Sequence, residues 1–364
     1  MKPNFFILLN FLILCSLTCQ EQKLFPTFIY PDNQKIRYEG RIRIKDTVAE
    51  IYWPGSQIEV NFKGDRLRAI FQDTKGKNYY NVILDNDSFW ILQPDTVFAE
   101  YTLADSLEDK EHNLKIFKRT EWNRGTTLFY GFKLDKGDEL LSTPARKNRK
   151  MEFYGNSITA GYAVEDTTGK DRSGGTFTNS YKTYAAITAR YFDAECHYIA
   201  RSGIGVMVSF VPQIMPEIYD KINPQDGNIL WNFNLYQPDI VVVNLLQNDS
   251  WLVKLPHRPE YKKRFNRDDV IDEEFIVASY VRFIEALRDK YPAANIICML
   301  GNMSITKEGS PWPGYVARAV QSMNDSKYIT FFVPYKNCGG HPGAEEQQEL
   351  ANKLIRFIER NIDW

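Results

Sequence analysis

The rhythm of apolar residues changes once along this chain, near residue 144, and that change limits the fold more than any other feature. From about Phe25 to Leu141 the apolar and β-branched residues come in short alternating runs. Examples are Ile58-Glu59-Val60-Asn61-Phe62, Leu67-Arg68-Ala69-Ile70-Phe71, Tyr79 to Leu84 and Thr126 to Phe132. Turn residues such as Pro54-Gly55, Lys63-Gly64-Asp65 and Asp85-Asn86-Asp87 separate them. A period of two marks half-buried strands, and many strands at this spacing without a helical stretch predict an all-β sandwich or jelly roll over 25–143. The basic stretch Pro144 to Lys150 reads as a solvated linker.

Beyond it, apolar strand candidates (Met151 to Tyr154, Cys196 to Ala200, Ile240 to Leu245, Asn295 to Leu300, Tyr328 to Val333) alternate with helical stripes. Ile276, Tyr280, Ile284 and Leu287 form one stripe and Leu350, Leu354 and Ile358 another, with a weaker one at Tyr181, Tyr184, Ala185 and Thr188. That alternation predicts an α/β three-layer domain over 150–364, a parallel sheet covered on both faces. A length of 364 residues accommodates two domains.

Residues 1–20 stand apart. Met1-Lys2 gives a positive start, Phe5 to Leu17 is almost wholly apolar, and polar Gln20-Glu21-Gln22-Lys23 follows at once. The apolar run is short for a membrane span, so it reads as an export signal, making the protein periplasmic, surface-attached or secreted. Cys19 lies where a bacterial lipoprotein carries its lipid, so a membrane connection is expected only through that anchor. With 45 Lys+Arg against 46 Asp+Glu and a net charge of −1, no basic field exists to attract nucleic acid. Cys196, Cys298 and Cys338 are too few and too scattered for a disulfide framework. No His/Cys/Asp set has metal-ligand spacing, so neither metal nor organic cofactor is expected.

Ligands of a parallel sheet sit at the carboxyl ends of its strands, so the residues following each strand carry the chemistry. After the first comes Gly155-Asn156-Ser157-Ile158-Thr159-Ala160-Gly161, a serine on a glycine-flanked strand-to-helix turn. On its own that serine could equally be a helix N-cap. The second strand runs into Arg201-Ser202-Gly203-Ile204-Gly205, where glycine lets a backbone N–H approach a bound oxygen. The third runs into Leu246-Gln247-Asn248-Asp249, and the last into Asn337-Cys338-Gly339-Gly340-His341. Of four histidines, only His341 stands after the last strand and at a helix start.

Together these four strand ends resemble the blocks of the SGNH, or GDSL-type, hydrolases. Tyr52-Trp53-Pro54-Gly55-Ser56, Tyr79-Tyr80-Asn81-Val82 and Phe117-Lys118-Arg119-Thr120-Glu121 in the first half are similar to carbohydrate esterase family 2. That family joins an N-terminal jelly roll to an SGNH domain and removes acetyl groups from plant polysaccharides. The resemblance implies Ser157 as nucleophile and His341 as general base, with an oxyanion held by the N–H groups of Ser157 and Gly203 and the side chain of Asn248. It implies an acetylated polysaccharide or oligosaccharide as partner.

Three departures from the wider superfamily stand out. Asn156 replaces an aspartate beside the nucleophile, and Leu246 replaces a glycine before Asn248. The acid usually found three residues before the histidine is absent: Cys338 holds its place, and no carboxylate occurs from Tyr328 to Ala344. A Ser-His dyad is therefore expected, as in some members of the family, with a main-chain carbonyl of Asn337–Gly339, or the Asn337 side chain, orienting the imidazole. Cys338 reads as a small buried spacer. Gly169 to Gly175 reads as a mobile loop near the nucleophile, without the lysine and spacing of a phosphate-binding loop. Trp251, Trp312 and Tyr315 are candidates to line a sugar cleft. Two rival readings remain: a catalytically silent glycan-binding surface protein whose missing acid marks a decayed site, and an esterase for another acyl group.

Overall fold

A computed structural model describes residues 26–364 other than 267, 268, 270 and 338. The proposed export segment, the anchor at Cys19 and the spacer role of Cys338 fall outside the described residues.

In the first half, two antiparallel sheets pack face to face. One has Ile42–Lys45, Val48–Ile51, Thr127–Leu134, Leu67–Asp73 and Ala99–Ala104 in that order, with Thr27–Ile29 also pairing onto Thr127–Leu134. The other runs Glu139–Leu140, Gln57–Lys63, Glu111–Lys118, Tyr80–Leu84, Ser88–Leu92, with Arg37–Glu39 also on Gln57–Lys63. Their inward positions, among them Val60, Phe62, Phe71, Tyr80, Val82, Ile116 and Phe129, are buried in one apolar core. This is the β-sandwich that the alternation predicts.

The second half is the expected three-layer domain. Its strands are β1 (Arg149–Gly155), β2 (Ala194–Ala200), β3 (Ile240–Asn244), β4 (Asn295–Leu300) and β5 (Tyr328–Phe332), all parallel and in the order 2-1-3-4-5. The helices that matter are α1 (Ser157–Ala160), α2 (Tyr184–Tyr191), α3 (Gln247–Leu252), α4 (Glu273–Lys290), α5 (Trp312–Ser322) and α6 (Ala344–Asn361). The stripes of α4 and α5 bury against one face of the sheet and those of α2 and α6 against the other. Strand order reverses at β1, so the crevice for a ligand opens at the carboxyl end of β1 and β3.

The linker is shorter than expected. Arg149 and Lys150 already belong to β1, where they pair with Ala194 and Glu195 of β2. The two halves are joined by an apolar seam: Trp53 and Trp122 of the sandwich belong to the core on one face of the parallel sheet, and Phe117 to the core on the other. Gly55 (φ +71°) shows how close the approach is, since a Cβ there would come within 2.0 Å of the Tyr198 ring on β2. The segments Tyr52–Ser56 and Phe117–Glu121 thus make the contact between the halves.

Candidate active site

β1 ends at Gly155, where a Cβ would collide with the Thr159 side chain 2.0 Å away; only glycine lets the chain turn so tightly into α1. The cap of that one-turn helix is Asn156, whose Oδ1 accepts from Ile158 N–H at 3.0 Å. Ser157 is therefore free of the capping role. Its Oγ instead lies 2.8 Å from Nε2 of His341. The histidine is set by the chain just before α6, and α6 is tied to α1 through Gln347, whose Nε2 donates to Ile158 O at 2.9 Å.

The imidazole is oriented by a carboxylate, contrary to the dyad expected from the sequence. Asp171 Oδ2 lies 2.7 Å from His341 Nδ1, and Oδ1 accepts from the His341 backbone N–H at 2.9 Å. The carbonyl of Gly339, one of the expected substitutes, accepts from Lys336 Nζ at 3.2 Å. The acid comes from the loop Gly169 to Gly175, which is not a free loop: Asp166 accepts from Arg172 N–H, Nε and Nη2, and Tyr162 OH donates to Asp171 O at 3.4 Å. The bond from His341, then the remaining partners, hold the Asp171 carboxyl below the ordinary aspartate range, against the opposing effect of burial. An ionised acceptor on Nδ1 fixes the tautomer that leaves Nε2 free to accept the serine proton.

From Arg201 to Val208 every backbone amide except that of Gly203 donates to an acceptor: Gly155 O, Glu121, Arg201 O, Ser209 Oγ and Asp249 take them in turn. The Gly203 and Ser157 amides have no acceptor among the described residues. Asn248 reaches the same loop, with Nδ2 donating to Ile204 O at 2.7 Å, which spends one of its two hydrogens. Asp249 is wholly buried; burial raises its pKa although four backbone amides, those of Val206, Met207, Val208 and its own, oppose the shift. The Asn-Asp pair thus pins the loop that carries Gly203. Leu246, the unexpected residue before it, adopts the left-handed conformation (φ 70°, ψ −11°) that a glycine would take without strain.

Of the aromatic candidates, Trp251 lies at the surface on α3, 36% exposed, with Nε1 donating to Ser304 Oγ at 2.8 Å. Trp312 does not line a cleft: it is 2% exposed in the core under α5, and Tyr315 packs half-buried against it at 5.7 Å. Phe210, which the sequence reading did not single out, is 38% exposed, stands 6.4 Å from Trp251, and donates its N–H to Gly203 O at 2.8 Å. Among the described residues, no group of three or more His, Cys, Asp or Glu is placed to hold a metal ion.

Residues 38–144 match the family model described as Carbohydrate esterase 2 N-terminal. Cellulase/esterase CelE of Acetivibrio thermocellus is 30% identical over 346 residues, 92% of this chain and 40% of that protein. The structure of a family two carbohydrate esterase from Clostridium thermocellum in complex with cellohexaose superposes with a TM-score of 0.79 at 29% identity, over 89% of this chain and 98% of that one. The chain is thus similar to carbohydrate esterase family 2, through the family's N-terminal domain at 38–144 and through relatives matched along most of its length. An acetylxylan esterase / glucomannan deacetylase of Cellvibrio japonicus is a further relative, 28% identical over 85% of this chain and 84% of its own length. The chain spans less than half of the length of CelE. The interface segments 52–56 and 117–121 both fall within the matched N-terminal family region.

Proposed function

We propose that this chain is an exported carbohydrate O-acetyl esterase that works through an acetyl-serine intermediate. The observation that carries this reading is the relay Asp171–His341–Ser157, with contacts of 2.7 and 2.8 Å. Ser157 Oγ attacks the acetyl carbonyl carbon as its proton passes to His341 Nε2. The carbonyl π pair moves onto oxygen, where the amides of Ser157 and Gly203 and the second Nδ2 hydrogen of Asn248 receive it. Collapse expels the sugar oxygen, which takes the proton back from Nε2. Water then repeats the sequence on acetyl-Ser157, releasing acetate.

Phe210 and Trp251, next to the Gly203 loop, offer apolar ring faces for a sugar. The relatives' names point to acetylated xylan and glucomannan as substrates. The rival reading of a silent glycan-binding protein rested on a missing acid, and Asp171 removes that ground. The test is acetate release from acetylated xylan, glucomannan and 4-nitrophenyl acetate. Wild type should hydrolyse them, and Ser157→Ala and His341→Ala should each lose about 10⁴-fold or more in kcat. Rates indifferent to both changes, or longer acyl esters cleaved as fast as acetyl, would overturn the assignment. Export, with or without lipid on Cys19, is tested by comparing the membrane and soluble fractions of the full chain and of Cys19→Ala.

A further inference from the structure

We propose that Glu121, a residue of the β-sandwich, is a positioning residue for the oxyanion pocket; the inference rests on the esterase reading above. The Glu121 side chain is 3% exposed and every polar contact it makes with the second domain goes to two consecutive residues of one loop. Oε2 accepts from Ser202 N–H at 2.6 Å and from Arg201 Nη1 at 3.4 Å, while Oε1 accepts from Ser202 Oγ at 2.7 Å. The Arg201 guanidinium also covers the Trp122 ring at 5.0 Å.

The amide held by Glu121 immediately precedes the Gly203 amide, the one unspent donor between Arg201 and Val208. Downstream, that loop is fixed by its own domain through Asn248 on Ile204 O and Asp249 on the amides of 206–208. Upstream, the Arg201 amide is tied to Gly155 O, and the side chain that grips Ser202 comes from the sandwich. Without Glu121 the Ser202 amide would have a free choice of acceptor, and the peptide leading into Gly203 could rotate away from a reacting carbonyl.

An apolar side chain beside Trp122 would close the seam without the desolvation that a buried carboxylate costs. What the carboxylate adds is direction: two oxygens fix both the amide and the hydroxyl of one serine. Donors of an oxyanion pocket act only when held where charge will develop, and a shift of about 1 Å costs about 10²-fold in rate. The sandwich therefore completes the active site without touching substrate.

Steady-state kinetics on 4-nitrophenyl acetate with the full chain test the inference. Glu121→Gln keeps size and one acceptor but loses the charge and the second acceptor. Its kcat should fall about 10- to 100-fold with KM within about two-fold, and the pH–rate profile should keep its shape because Asp171 and His341 are untouched. Added to Asn248→Ala, Glu121→Gln should cost less than it does alone, since both act on one oxyanion. If Glu121→Gln fails to fold, Ser202→Ala reads the same contact from the other side and should lower kcat several-fold. A kcat within about two-fold of wild type in the folded variant, or a displaced pH profile, overturns the inference and leaves the esterase reading standing. Wild type that cleaves no acetyl ester overturns the esterase reading itself.

Discussion

Asp171 holds a left-handed backbone (φ 57°), a conformation that aspartate tolerates better than most residues but still at a cost. Both carboxylate oxygens are committed to His341, one to the ring and one to its backbone. Because the bond to His341 lowers its pKa, Asp171 contributes stability that is present above about pH 4 and is lost as pH falls further. Acid should therefore unlock the imidazole only below that range. In Asp171→Asn the ring loses its charged partner. With 34% of the Asp171 side chain in solvent, water already screens part of that charge, so the loss in kcat should be about 10²-fold rather than the larger cost of a fully buried acid. A folded Asp171→Asn variant whose kcat matches wild type refutes the relay. Ser157 and Gly203 were legible because each follows its own strand within three residues, and His341 because it is the one histidine between the last strand and the helix that follows it. Asp171 was not: its partner lies 170 positions away, and the stretch from Tyr328 to Ala344 around His341 holds no carboxylate.

At the scale of the element, α5 shows how punctuation misleads. Ser310-Pro311-Trp312-Pro313-Gly314 reads as a loop after the fourth strand, yet proline suits the first turn of a helix, where its missing N–H costs nothing. The helix begins at Trp312, and Trp312, Val316 and Ala319 form its buried stripe, which is why that tryptophan is core rather than cleft. α3 presents the opposite case, a local rule broken by burial. Leu246 pays about 1–2 kcal/mol for its left-handed backbone, but it is 1% exposed in the same core as Leu245 and Leu252. Removing a buried leucine side chain costs about 2–5 kcal/mol, so the packing term wins. Leu246→Gly, which relieves the left-handed backbone, should therefore lower the thermal midpoint, and a rise in the midpoint would show that the strain dominates.

For the whole molecule, the two rhythms of the sequence mark two architectures, but they do not reveal that the architectures share cores. Nothing in the alternation of residues 25–141 marks Trp53 or Phe117 as belonging to the next domain, because burial against a partner and burial within a sandwich leave the same apolar letters. The most demanding contact across the seam is ionic. Arg41, from the sandwich, donates from Nη2 to Glu152 on β1 at 2.6 Å and to Tyr154 OH at 3.1 Å, and Tyr291 OH also donates to Glu152. Both charged side chains are 0% exposed. Taking away one partner of such a pair strands a charge where water cannot reach it, at a cost of about 3–5 kcal/mol. Since the pair and the apolar seam couple the halves, calorimetry of wild type should give one transition. Arg41→Ala should move that single transition down rather than split it. Adding Glu152→Gln should recover part of the loss, because a neutral amide needs no counter-charge. Two separate transitions in wild type, or a double variant less stable than Arg41→Ala alone, would show that the halves fold independently or that the carboxylate is not the stranded group.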